Sequence, residues 1–143
     1  MPTVKDILTR KGANVHTTSP SALVLDATRI MNLHRIGSLL VIDDDLVVGV
    51  FTERDVLSRI VAAGMDPATT RVFEAMSTPV AFCTPDMTLD DVRAIFTEKR
   101  IRHMPVLEDG KLIGIVTGGD VLAHDINAKE QTIRYLEEYI QNP

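Results

Sequence analysis

Residues 49–57 read GVFTERDVL and residues 114–122 read GIVTGGDVL. Both share one frame: glycine, two apolar residues, threonine, two variable residues, then Asp-Val-Leu. Displacing the chain by 65 residues aligns 15–60 with 80–125 without a gap, with 13 identities in 46 positions. Among them are Pro20/Pro85, Arg35/Arg100, Asp44/Asp109, Gly49/Gly114 and Thr52/Thr117. The segment VKDIL at 4–8 also resembles VFEAM at 72–76. A repeat of this length means that one supersecondary unit is used more than once. Two copies are few for a solenoid, so the repeat predicts two halves paired face to face.

Each copy has the same layout. An extended piece (VHTTSP or VAFCTP) leads into a helix, predicted over 21–34 and 86–99. Val24, Ala27, Met31 and His34 recur at helical spacing in the first; Leu89, Val92, Phe96 and Lys99 do so in the second. A β-hairpin follows. Asp109-Gly110 is a strong two-residue turn signal, and the first copy has an acidic turn in its place. A second helix opens near Thr52 or Thr117. In the first copy it runs to Gly64, a helix stop, and DPATT at 66–70 connects the halves. The expected fold is α+β, with a first repeat over 1–65, a second over 66–125 and a helical extension over 126–143. In that extension Ile126, Ile133 and Ile140 recur every seven residues, with Leu136 beside them. Such a stripe either packs on its own domain or makes a subunit contact.

Composition narrows the function classes. Trp is absent and only six residues are Phe or Tyr, so Val, Ile and Leu must fill the core. One cysteine, Cys83, excludes an internal disulfide framework and a thiol cluster for structural zinc. A net charge of −5 argues against a nucleic-acid protein, because phosphate contacts need a basic footprint. The start MPTVKDILTR has no apolar signal region, and no apolar run approaches the ~20 residues that span a bilayer. The expected location is the cytoplasm, away from membranes.

The stretches RHMPVLEDGKLIGIVTGGDVL and RIGSLLVIDDDLVVGVFTERDVL resemble the cystathionine β-synthase (CBS) domain, and two in tandem resemble a Bateman module. The resemblance covers the chain from about Val4 to about Asp125. It implies two βαββα-type units packed as a pseudo-twofold pair. It also implies two clefts between them that commonly take adenosine-containing ligands, and further pairing into dimers. The first copy departs from the pattern at Leu40, where the second has Pro105.

Taken alone, Thr-x-x-Asp before a helix is an ordinary capping box, with Thr52 or Thr117 as the cap. The resemblance adds a ligand role: threonine and helix start toward phosphate, Asp55 or Asp120 toward ribose hydroxyls. A carboxylate is acceptor-only, which suits two vicinal hydroxyl donors, and helix starts offer N–H groups to anions. Capping and binding can coexist. Gly49 and Gly114 read as positions of close approach by backbone or ligand.

By the same resemblance, Thr52 and Asp55 face Thr84, Ile101, Arg102 and His103. Thr117 and Asp120 face Ser19, Ile36, Gly37 and Ser38. Arg102, His103 and Arg54 would suit several phosphates. The Thr117/Asp120 cleft would lack those cations and have more room. A solvated basic run is the alternative for KRIRH at 99–103. His16, His34 and His124 are scattered, and Cys83 sits in an apolar extended segment as a core residue would.

The expected function is regulatory sensing of AMP, ADP or ATP, with NAD(H) or S-adenosylmethionine as alternatives and a ligand-free dimerisation module as another. No Gly-x-Ser-x-Gly, P-loop or metal-ligand cluster supports an enzyme, and no cofactor or metal is expected. The expected partners are an adenosine nucleotide, a second copy of the chain, and a separate effector protein.

Overall fold

The computed structural model describes residues 1–12 and 14–141. The chain forms two compact units, Asn14–Phe82 and Met1–Ala13 with Cys83–Pro143. These units do not coincide with the sequence repeats at 1–65, 66–125 and 126–143. Each repeat's leading helix belongs to the unit built on the other repeat's hairpin. The α+β character is as expected.

In the Asn14–Phe82 unit, β1 (Thr17–Thr18), β2 (Ser38–Asp43) and β3 (Leu46–Thr52) form a sheet in that order. β1 runs parallel to β2, and β2 and β3 form the predicted hairpin. α2 (Val24–His34) covers the sheet with Val24, Ala27 and Met31, which join Leu39, Val41, Phe51, Ile60, Val72 and Ala75 in one core. Phe51 is fully buried, a burial that stabilises by roughly 2–3 kcal/mol. Helix 21–34 therefore starts later than expected, at Val24, because 19–22 are taken up by a turn closed by Ala22 N–H on the Ser19 carbonyl. His34 is exposed and stacks on His16, with ring centroids 4.0 Å apart. α3 (Glu53–Asp55) continues as a π-helix over Val56–Val61 and stops at Gly64, whose φ is +69°. α4 (Val72–Ala75) closes the unit.

The other unit contains α1 (Val4–Lys11), α5 (Leu89–Lys99), the hairpin β4 (His103–Glu108) and β5 (Lys111–Thr117), and α6 (Gly118–Gln141). Thr88 caps α5 through a reciprocal box with Asp91, so this helix too begins later than 86. Its buried residues are Leu89 and Val92, while Lys99 is exposed. α6 is one 24-residue helix that takes in the predicted extension as far as Gln141, positions 142 and 143 lying outside the described residues. Along it Ile126, Ile133, Leu136 and Ile140 are 49–75% exposed, which removes the expectation that the stripe packs on its own domain.

The two hairpins match in detail. Each carries a register irregularity at the equivalent place, after Val41 and after Val106. Both turns use two residues with positive φ, Asp44-Asp45 and Asp109-Gly110, which suits the twist of a two-residue hairpin. Arg35 and Arg100, identical in the repeat, both end their helices in the left-handed conformation.

One difference follows from a single substitution. Leu40 donates its N–H to the His16 carbonyl and so recruits β1 as a third strand. Its counterpart Pro105 has no N–H to give. Among the described residues the second sheet is accordingly two-stranded, with the bridge Cys83–Val106 beside it. Among the described residues no helix is long and apolar enough to cross a membrane.

Candidate functional site

Antiparallel pairing places the start of each hairpin against its end. Ser38 lies opposite Thr52, and His103 lies opposite Thr117. The chain then turns directly into a helix. This turn is closed by the backbone just before the hairpin: Glu53 N–H donates to the Gly37 carbonyl at 3.0 Å, and Gly118 N–H donates to the Arg102 carbonyl at 2.8 Å. Each unit therefore collects, at one sheet end, the residues before β2 or β4 and a Thr-x-x-Asp.

Both Thr-x-x-Asp segments are real capping boxes. Thr52 N–H donates to Asp55 Oδ2 at 2.9 Å, and Asp55 N–H donates to Thr52 Oγ1 at 3.2 Å. The same two bonds join Thr117 and Asp120 at 2.9 and 3.2 Å. Each threonine hydroxyl retains its own proton to donate.

The carboxylates are supported differently. Asp55 is buried at 4% exposure; its Oδ1 accepts from the Ser77 hydroxyl at 2.8 Å and lies 3.8 Å from Arg59 Nε. Asp120 keeps 20% of its side chain exposed, and Lys11 Nζ donates to its Oδ2 at 2.6 Å. The Thr117/Asp120 site thus has a cation of its own, distinct from Arg102, His103 and Arg54. The cation comes from α1, outside every motif around that site, and the sequence holds no local signal for it.

Both leading helices reach these hairpins by packing on the repeated glycine. A Cβ at Gly114 would stand 2.7 Å from Leu8 Cδ2, and one at Gly49 would stand 2.5 Å from Met76 Sδ. The glycines are therefore small to admit a side chain of the same unit. Close approach was expected there, but its agent is Leu8 or Met76.

The chain matches the CBS-domain pattern twice, over residues 4–62 and 72–127. It belongs to the CBS-domain family. The CBS domain-containing protein YhcV of Bacillus subtilis is 32% identical over 127 residues, spanning 89% of this chain and 88% of the relative. A CBS-domain containing protein of Agrobacterium tumefaciens superposes with a TM-score of 0.82 at 38% identity, covering 86% of this chain and 98% of that one. A hexameric CBS-CP12 protein from bloom-forming cyanobacteria does so with a TM-score of 0.76 at 28% identity, covering 94% and 81%.

Within each CBS unit the expected site residues fall into two groups. Ile36, Gly37, Ser38, Thr52, Arg54 and Asp55 gather at the helix-bearing sheet end of one unit. Ile101, Arg102, His103, Thr117 and Asp120 do so in the other. Arg54 and Arg102 are exposed, while Ile36, Gly37, Ile101 and His103 are half-buried. Ser19 and Thr84 stand apart from these groups. β1 runs parallel to β2, with Thr18 opposite Val41, so Ser19 leaves toward the hairpin turn, away from Ser38. Cys83 lies opposite Val106 in the same sense, so Thr84 leaves away from His103.

Cys83 is buried, with Sγ 3.6 Å from the Pro105 carbonyl, and burial pushes its thiol up to about 11. It is a core residue. Among the described residues no group of three or more His, Cys, Asp or Glu is placed to hold a metal ion.

Proposed function

We propose that this CBS pair is a regulatory module of the cytoplasm that senses an adenosine nucleotide: AMP, ADP or ATP. The observation that carries the reading is the duplicated sheet end. In each unit a Thr-x-x-Asp lies against the backbone of the residues that open the hairpin, Gly37-Ser38 or Arg102-His103. An acidic acceptor, a threonine hydroxyl and strand-end backbone suit a ribose, a phosphate and the edge of a flat base, respectively. Ile36 and Ile101 are the apolar surfaces for the base. Arg102, exposed beside Gly118, is a phosphate ligand. The assembly is an even-numbered oligomer of this chain, consistent with the exposed stripe of α6 and with the hexameric CBS-CP12 relative. The signal passes to a separate effector protein.

Calorimetry of the purified chain against AMP, ATP, NAD and S-adenosylmethionine tests the reading. Binding of AMP or ATP in the micromolar range, about −8 kcal/mol, is expected. Arg102→Ala should weaken ATP more than AMP, because the additional phosphates carry the additional charge. The same panel followed for hydrolysis should show no turnover. Absence of heat and of thermal shift with all four ligands refutes the sensor reading and leaves a ligand-free dimerisation module.

A further inference from the structure

The two leading helices differ in length, and the difference ends at the two repeated aspartates. α4 spans four residues, and after Met76 the chain extends so that Ser77 pairs with Val50 and caps Asp55 with a neutral hydroxyl. α1 spans eight residues. It seats Leu8 on Gly114 as Met76 sits on Gly49, then continues for about one more turn. That turn ends in Arg10 and Lys11. Arg10 donates to the Ala123 carbonyl at 3.4 Å, holding the helix end on the start of α6. Lys11 donates to Asp120 Oδ2 at 2.6 Å.

This pair changes what the Thr117/Asp120 site accepts. A carboxylate suited to ribose hydroxyls also repels a phosphate nearby, and a bare Asp120 would oppose the charged end of any nucleotide. Lys11 offsets that charge. Both bonds received by Asp120, from Thr117 N–H and from Lys11, go to Oδ2, so Oδ1 is the oxygen for a ribose hydroxyl. An ammonium has three donors, and Asp120 takes one. The lysine side chain is 28% exposed, so its remaining donors are within reach of a bound anion. Asp55 has a looser partner: Arg59, half exposed, pairs with its Oδ1 across 3.8 Å, one turn along the same helix.

We infer that Lys11, reaching Asp120 from α1, makes the Thr117/Asp120 site select phosphorylated adenosine over the free nucleoside. The inference rests on the nucleotide reading above and adds the residue that decides between ligands. It assigns a selective role to a helix outside the repeated phrase.

The test follows the Gly118 and Gly119 amide resonances of the full chain in titrations with adenosine and with AMP, since these amides lie between Thr117 and Asp120. Lys11→Met should weaken AMP by about tenfold, the loss of one charge-assisted bond, and leave adenosine within about twofold. Lys11→Arg should restore most of the AMP affinity, which a variant damaged in folding would not allow. Equal weakening of AMP and adenosine by Lys11→Met would mean that Lys11 only holds Asp120, and no change in either would mean that it does nothing there. Each result overturns the inference while leaving the nucleotide reading intact. Wild-type Gly118 and Gly119 resonances that move with neither ligand overturn the nucleotide reading at this site, and the inference with it.

Discussion

The Ser77 hydroxyl donates to Asp55 Oδ1 at 2.8 Å, across 22 residues of sequence, while the other carboxylate oxygen caps Thr52. Asp55 is therefore a structural tie between the hairpin, the helix that follows it and the segment after α4. Its repeat counterpart Asp120 makes the cap but receives Lys11 in place of the serine. The same four-residue phrase thus has a buried version tied closely by a serine hydroxyl, with Arg59 farther off, and a more accessible version tied closely by a lysine.

Asp55→Ala should destabilise the protein more than Asp120→Ala. The first loses a cap and strands the Ser77 hydroxyl in a part-buried site, a cost of about 2–3 kcal/mol. The second loses a cap and a part-exposed ion pair, about 1 kcal/mol. Urea unfolding of both variants without ligand measures the order; a reversed order contradicts the tie at Asp55.

Gly114→Ala and Gly49→Ala should each cost about 1–3 kcal/mol through overpacking against Leu8 and Met76. Combining Gly114→Ala with Leu8→Ala should cost less than the sum of the two single changes, because the shortened side chain no longer meets the new methyl. Strict additivity would show that the two residues are not in contact.

Asp45→Gly should raise stability by about 0.5–1 kcal/mol. Asp45 holds a φ of +63° where the second hairpin has Gly110 at +77°, and a left-handed conformation is strained for a residue with a Cβ. The exposed side chain has little packing to lose. Thermal unfolding of this single variant decides it.

Burial raises the Cys83 thiol from 9.0 to about 11. At pH 8 its thiolate share should be about 100-fold below that of an ordinary cysteine, and a disulfide reagent should react slower by at least that factor than in urea. The raised value has a consequence for stability. Below pH 9 folded and unfolded thiols are both protonated and the contribution is complete. Above it the unfolded thiol ionises first, so stability falls as pH rises toward 11. Cys83→Ala should show a shallower fall over pH 9–11 than the wild type.

Ile133→Asp with Ile140→Asp should leave the unfolding midpoint within about 0.5 kcal/mol of the wild type, since both side chains are more than half exposed. Sedimentation velocity should show a smaller species. Undiminished assembly would place the subunit contact elsewhere on the chain.

Much of this molecule was legible in the residue order because its causes are local. Asp109-Gly110 specifies a tight turn by the backbone it tolerates, and Thr-x-x-Asp closes its own cap within four residues. Helical spacing marked Val24, Ala27 and Met31 as one buried face, and the displacement of 65 tied the second hairpin to the first. Family membership followed from those same phrases.

The tertiary structure decided what no neighbouring residue encodes. Lys11 and Asp120 are 109 positions apart, and nothing around either names the other. Leu8 reads as one more apolar helix position until the fold sets it on Gly114. The repeat gives each copy a leading segment, and the fold sets α1 on the second hairpin and α4 on the first. A repeat constrains each unit's internal pattern, because the bonds that close a turn or cap lie within a few residues. The choice of which hairpin a helix covers is made by buried apolar surface, which has no direction along the chain.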